Sequence, residues 1–136
     1  MEARAVIGLD TNVLLRLLLD DDPPQVRRAR HIASSAEAAG HPLFVNDVVL
    51  TETVWTLGSR YNANKGELID TLRSLLYNAR LAFESRSVLS EAVTQFERSS
   101  TGFADCLIIA KNAAAGCDHT ATFDRALRPF EHAKVI

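Results

Sequence analysis

Short apolar runs alternate with longer amphipathic stretches along the whole chain. Residues 5–9 form a brief apolar run that Asp10 halts, which predicts a buried strand and then a helix over 11–19, apolar nearly all round. The break at 20–24 ends in Pro23 and Pro24. Proline suits the first helical positions, where its missing N–H has no intrahelical partner to lose. That helix is predicted to reach residue 39 and stop at Gly40. A second strand is expected over 43–46, with Asp47 placed to cap a helix to residue 59. Asn64 is placed to cap another helix, to residue 78, and a third strand follows over 81–84. Helices over 87–99 and 103–115 are parted by a Ser-Ser-Thr-Gly turn. A fourth strand (119–123), a helical turn after Asp124 and a fifth strand (133–136) close the chain. No linker, repeat or low-complexity stretch interrupts the pattern.

Strands separated by helices imply an α/β fold with a parallel sheet covered on both faces. Right-handed crossovers leave a few doubly wound orders, and ligands in such sheets bind at the carboxyl ends of strands where the order reverses. The 136 residues suit one domain over 1–136. With 47% apolar and 24% charged residues, disorder is excluded. No apolar run reaches the ~18 residues needed to span a bilayer, and no basic leader precedes a long apolar core. No membrane partner and no secretion signal are therefore expected. Cys106 and Cys117 make no disulfide scaffold and read as reduced thiols of a cytoplasmic protein. The formal charge of −2 leaves a nucleic-acid partner open, since acids can gather on metal ions while basic residues follow the phosphate path.

Four acids carry the candidate chemistry. Asp10 follows the first strand and Asp124 the fourth. Glu52 lies in the helix after the second strand, and Asp105 in the first turn of the helix feeding the fourth. A helix leaving a strand and a helix about to feed one both begin at the carboxyl edge of a parallel sheet, so all four are expected at that edge. Each acid also has a purely structural reading. Asp10 and Asp124 can be helix caps, and Asp105 can be a first-turn acid favoured by the helix dipole. Glu52 has Val48, Val49 and Trp55 as helical neighbours, which suggests an apolar face where an unpaired carboxylate is costly. Four clustered carboxylates repel one another, and a divalent cation relieves this. Oxygen-only ligation favours Mg²⁺ or Mn²⁺ over Zn²⁺. The chemistry expected is in-line phosphodiester hydrolysis without a side-chain nucleophile or a substrate 2′-hydroxyl.

At these residues the chain resembles the PIN domain, and more closely the VapC toxins within that family. Ile7-Gly8-Leu9-Asp10-Thr11-Asn12-Val13-Leu14-Leu15-Arg16 resembles the opening motif, Thr51-Glu52-Thr53-Val54 the second, Gly102-Phe103-Ala104-Asp105-Cys106-Leu107-Ile108-Ile109-Ala110 the third and Thr122-Phe123-Asp124 the fourth. The resemblance covers essentially the whole length. It implies a three-layer α/β/α fold with a five-stranded parallel sheet of order 3-2-1-4-5, in which strands one and four adjoin. It also implies Mg²⁺- or Mn²⁺-dependent RNA cleavage, homodimerisation and neutralisation by a cognate antitoxin. Asp10, Glu52, Asp105 and Asp124 carry over as catalytic, metal-holding acids, Asp10 and Asp105 foremost as direct ligands. Thr11, Asn12 and Thr122 carry over as supporting groups. Cys106 stands where the family often has a small residue such as alanine.

The remaining candidates are weaker. His31, His41, His119 and His132 show no metal-ligand spacing and read as structural or surface residues. Arg27, Arg28 and Arg30 read as a solvated helix face, whereas Arg125 and Arg128 follow Asp124 and are candidates for RNA phosphate. Trp55 reads as core or interface rather than a base-stacking platform. A haloacid-dehalogenase-like phosphatase needs a second aspartate two residues after the first, where this chain has Asn12. A receiver domain needs an acceptor aspartate after strand three, where it has Glu84 and Ser85. The non-enzymatic alternative is a catalytically silent PIN-like module that binds RNA or protein, and its mark would be a missing acid.

Overall fold

Side-chain oxygens set most helix starts in this chain. The structure, a computed structural model, describes residues 5–136. In chain order it contains β1 (Ile7–Gly8), α1 (Thr11–Leu18), α2 (Pro23–Ala39), β2 (Leu43–Phe44), α3 (Asp47–Arg60), α4 (Lys65–Tyr77) and β3 (Leu81–Ala82). These are followed by α5 (Arg86–Arg98), α6 (Phe103–Ala114), β4 (Thr120–Thr122), a 3-10 turn (Arg125–Leu127) and β5 (Ala133–Val135). Asp22 caps α2, whose Pro23 and Pro24 occupy the first positions, and Gly40 ends it in the left-handed region at φ 71°. Asn46, and not Asp47, caps α3: its Oδ1 accepts the Val49 N–H at 2.8 Å. Asn64 and Glu67 exchange a reciprocal pair of bonds at the head of α4, a capping box with asparagine as cap. Ser85 caps α5.

The chain divides into two compact units. One takes in the chain through Ala63 together with Tyr77–Glu84, and the other takes in Asn64–Leu76 and Ser85–Ile136. In the first, three parallel strands pair in the order β1-β2-β3, with Ile7 opposite Leu43 and Leu43 opposite Leu81. α1 packs on both α2 and α3. Leu14, Leu15, Val26, Val45, Leu50 and Leu57 are buried here. Glu84, at the end of β3, accepts the Asp47 N–H at 2.6 Å, so the receiver-like position serves to anchor the start of α3. In the second unit, α5 packs against α6, and β4 pairs in parallel with β5. Its core holds Leu72, Leu89, Ala92, Val93 and Phe96, the last edge-on to Phe103 with centroids 6.0 Å apart.

Among the described residues the strands do not form one continuous five-stranded sheet of order 3-2-1-4-5. They make a three-stranded sheet, β1-β2-β3, and a two-stranded sheet, β4-β5, which retain the 3-2-1 and 4-5 neighbours of the expected order.

Thr53 is 1% exposed, and its hydroxyl has no hydrogen-bond partner among the described residues. Leaving a buried hydroxyl unsatisfied costs about 1–3 kcal/mol. Thr53→Val keeps the β-branched shape and removes that group, so it should raise unfolding stability by about 1 kcal/mol in a urea titration. A lower midpoint would show that the hydroxyl does find a partner.

Candidate functional site

The backbone of β1 stays in register through Leu9, whose N–H reaches the Phe44 carbonyl at 2.9 Å. At Asp10 it turns into α1. Asp10 is extended (φ −87°, ψ 175°), and its Oδ1 accepts the Val13 N–H at 2.9 Å. It is therefore the helix cap, and its Oδ2 is left over. The next residue, Thr11, donates from Oγ1 to Glu52 Oε2 at 3.2 Å, joining the head of α1 to the middle of α3. Asn12 is exposed beside them.

Glu52 is exposed, which corrects the expectation of an apolar face around it. The buried stripe of α3 is Val49, Leu50, Thr53 and Leu57. Val48, Glu52 and Trp55 lie on the opposite stripe, where Val48 is 63% and Trp55 64% exposed. Trp55 is thus not a core residue.

In the second unit, α6 begins at Gly102, which offers no side-chain cap. Asp105 sits in the first turn, half-buried, where the free N–H groups favour a negative charge. Its Oδ2 accepts from Thr101 Oγ1 at 3.3 Å. The thiol of Cys106, next in sequence, is buried, and desolvation pushes its pKa up, so it stays protonated at neutral pH. At the end of β4, Thr122 Oγ1 accepts the Asp124 N–H at 3.0 Å, and Asp124 Oδ1 accepts the Ala126 N–H at 2.9 Å. Arg125 and Arg128 are exposed on the turn that follows and form no ion pair among the described residues.

The four acids share one state. Each engages a single carboxylate oxygen in a local hydrogen bond, and none has a cationic partner among the described residues. Hard carboxylate oxygens left without a protein partner suit Mg²⁺ or Mn²⁺ by donor type. Each unit contributes two of them. Among the described residues no group of three or more His, Cys, Asp or Glu side chains stands gathered as a ready ligand set. His119 pairs with Asp118 at 2.9 Å, at the opposite end of β4 from Asp124.

The family model for the PIN domain matches residues 7–133, an interval that contains all four acids and residues of both units. The chain belongs to the PIN domain family. Among curated relatives, it is similar to a VapC ribonuclease of Aquifex aeolicus (strain VF5), 24% identical over 120 residues that cover 88% of each chain. No helix among the described residues of this PIN domain is long and apolar enough to cross a membrane.

Sequence reasoning passed over one polar network in the PIN domain's first unit. Arg16 donates from Nε to Gln25 at 2.7 Å and from Nη1 to Asp21 at 2.9 Å, and the Tyr61 hydroxyl closes on the other Asp21 oxygen at 2.6 Å. It ties α1, the α1–α2 break and the end of α3 together. Arg16 belongs to the quoted opening motif, and three aspartates follow it at 20–22, which was the available signal. Tyr61 first, and then Arg16, hold the Asp21 carboxyl below its ordinary value. Tyr61 and Asp21 hold the Arg16 guanidinium above its own. A carboxyl lowered in the folded state stabilises above its unfolded pKa, and that contribution is lost as pH falls through the folded value. Wild type should therefore melt higher than Asp21→Asn at pH 7, with the gap closing as the pH drops below about 4. A gap that stayed constant down to pH 2.5 would remove Asp21 ionisation from the account.

Proposed function

We propose that this PIN domain, acting as one domain over residues 1–136, is a divalent-metal-dependent endoribonuclease. In this reading it is the toxin of a toxin–antitoxin pair, working in the cytoplasm as a homodimer and held in check by a cognate antitoxin protein. One observation carries the reading: four acids at the motif positions of the PIN family each keep one carboxylate oxygen clear of protein partners and have no compensating cation among the described residues. The similarity to a protein named VapC ribonuclease supports RNA as the substrate.

Asp10, Glu52, Asp105 and Asp124 would hold Mg²⁺, with Mn²⁺ as a substitute. When bound, the ion supplies positive charge to the phosphoryl oxygens and makes an attacking water easier to deprotonate. The residues do the rest. The Thr11 hydroxyl fixes the Glu52 carboxylate, and the Asp10 cap fixes the carboxylate beside it. Thr122 holds the backbone of Asp124. Asn12 offers an amide to the substrate, and Arg125 and Arg128 offer charge to flanking phosphates. A carboxylate oxygen without a protein partner can take the water's proton. The water oxygen bonds to phosphorus as the P–O3′ bond breaks, and the departing 3′ oxygen takes a proton from solvent, leaving 5′-phosphate and 3′-hydroxyl ends. A 2′-hydroxyl mechanism would instead leave a 2′,3′-cyclic phosphate.

Induction in a bacterium should arrest growth for wild type but not for equally expressed Asp105→Asn, and RNA from arrested cells should carry new 5′-phosphate ends. Purified chain should make the same cuts with Mn²⁺, stop in EDTA, and still cut a substrate with a 2′-deoxy residue at the scissile site. Cyclic-phosphate products formed in EDTA would refute the catalytic roles given to these acids.

A further inference from the structure

A second cleft in the first unit adjoins Glu52 and has no assigned role. Its volume is about 380 Å³, and it runs from Thr11 and Asn12 at the head of α1 to Arg60 at the end of α3. Three features together point to its occupant. Trp55 is 64% exposed and lines the cleft together with Glu52. Arg60 is exposed and has no acidic partner among the described residues. Glu52, one of the proposed metal-holding acids, opens into the same cleft.

An aromatic face beside an uncompensated cation is how proteins hold single-stranded nucleic acid, with bases stacking on the ring and phosphates meeting the charge. The spacing suits this use. Arg60 lies eight positions after Glu52 in α3, about 12 Å along the helix axis, and Trp55 lies between them. The other cation of the cleft, Arg16, is committed to Asp21 and Gln25 and forms a fixed wall, which leaves the anionic ligand to Arg60. A purely protein-binding patch would not require an unpaired guanidinium and a metal-holding acid in one cleft.

We propose that this cleft is a subsite for one unpaired nucleotide of the RNA substrate, its base stacked on Trp55 and its phosphate on Arg60. The proposal rests on the nuclease reading and adds to it a demand for single-stranded RNA at this position. Duplex RNA keeps its bases stacked internally and cannot offer one to the indole.

Trp55 is the chain's one tryptophan, so intrinsic fluorescence reports on this subsite alone. Full-length protein in EDTA would be titrated with an end-labelled oligoadenylate and with the same strand in a duplex, following both tryptophan emission and label anisotropy. The single strand should quench emission saturably and the duplex should not. Trp55→Ala should weaken binding about 5- to 150-fold, from a stacking free energy of about 1–3 kcal/mol per base. Trp55→Phe should recover most of that loss, and Arg60→Ala should weaken binding and flatten its salt dependence. Binding that leaves emission unchanged, or that Trp55→Ala does not weaken, would overturn the subsite while metal-dependent cleavage stood. Emission already shielded from acrylamide before RNA is added would mean that a protein surface, such as a second copy of the chain, covers Trp55, which also overturns it. RNA that is neither bound nor cut with Mn²⁺ would sink the nuclease reading itself, and the subsite with it.

Discussion

A carboxylate has two oxygens, and at each candidate position this protein gives one to its own fold and keeps the other back. Asp10 illustrates the constraint. One oxygen caps α1 and turns the chain from strand to helix, a role usually worth about 1 kcal/mol. The same fixed geometry sets where the other oxygen lies. Asp124 repeats the arrangement at the end of β4, and Thr11 and Thr101 tether Glu52 and Asp105. Capping by Asp10 and Asp124 is therefore compatible with the proposed metal role, since each cap uses one carboxylate oxygen and leaves the other. Asparagine caps helices about as well as aspartate, so Asp→Asn variants test charge with little disturbance of the fold.

The strands contribute little length to this arrangement. At two or three residues each they form brief ladders, and the helices carry most of the buried apolar side chains. The strands' chief service is to set the ends from which Asp10 and Asp124 leave. The Arg16–Asp21–Tyr61 network does comparable work between helices, locking the far end of α1 to the end of α3 with partly exposed polar groups in place of apolar ones.

Helix positions were legible in the sequence because their signals are local. Pro23, Gly40, Asn64 and the Ser-Ser-Thr-Gly turn act within a few residues of themselves. Parallel pairing of short strands separated by helices was legible for the same reason. Two features were not. The division into a three-stranded and a two-stranded sheet has no local mark, because the pattern gives strands but not how they pair. The buried side of α3 was misjudged because both its stripes are apolar: Leu50 and Leu57 on one, Val48 and Trp55 on the other. Periodicity cannot choose between two such faces, and the choice decided whether Glu52 was read as enclosed or open. The acids themselves were found by position after strands and at helix starts, a pattern that survives small errors in element boundaries.

The four motif acids are proposed to serve divalent-cation chemistry, and Mn²⁺ binding tests this most directly. Calorimetry on wild type, Asp10→Asn, Glu52→Gln, Asp105→Asn and Asp124→Asn at pH 7 would compare five folded proteins under one condition. The account predicts weaker Mn²⁺ binding in every variant, on the order of tenfold or more for the loss of a group that holds the metal. Unchanged affinity in all four variants would contradict it.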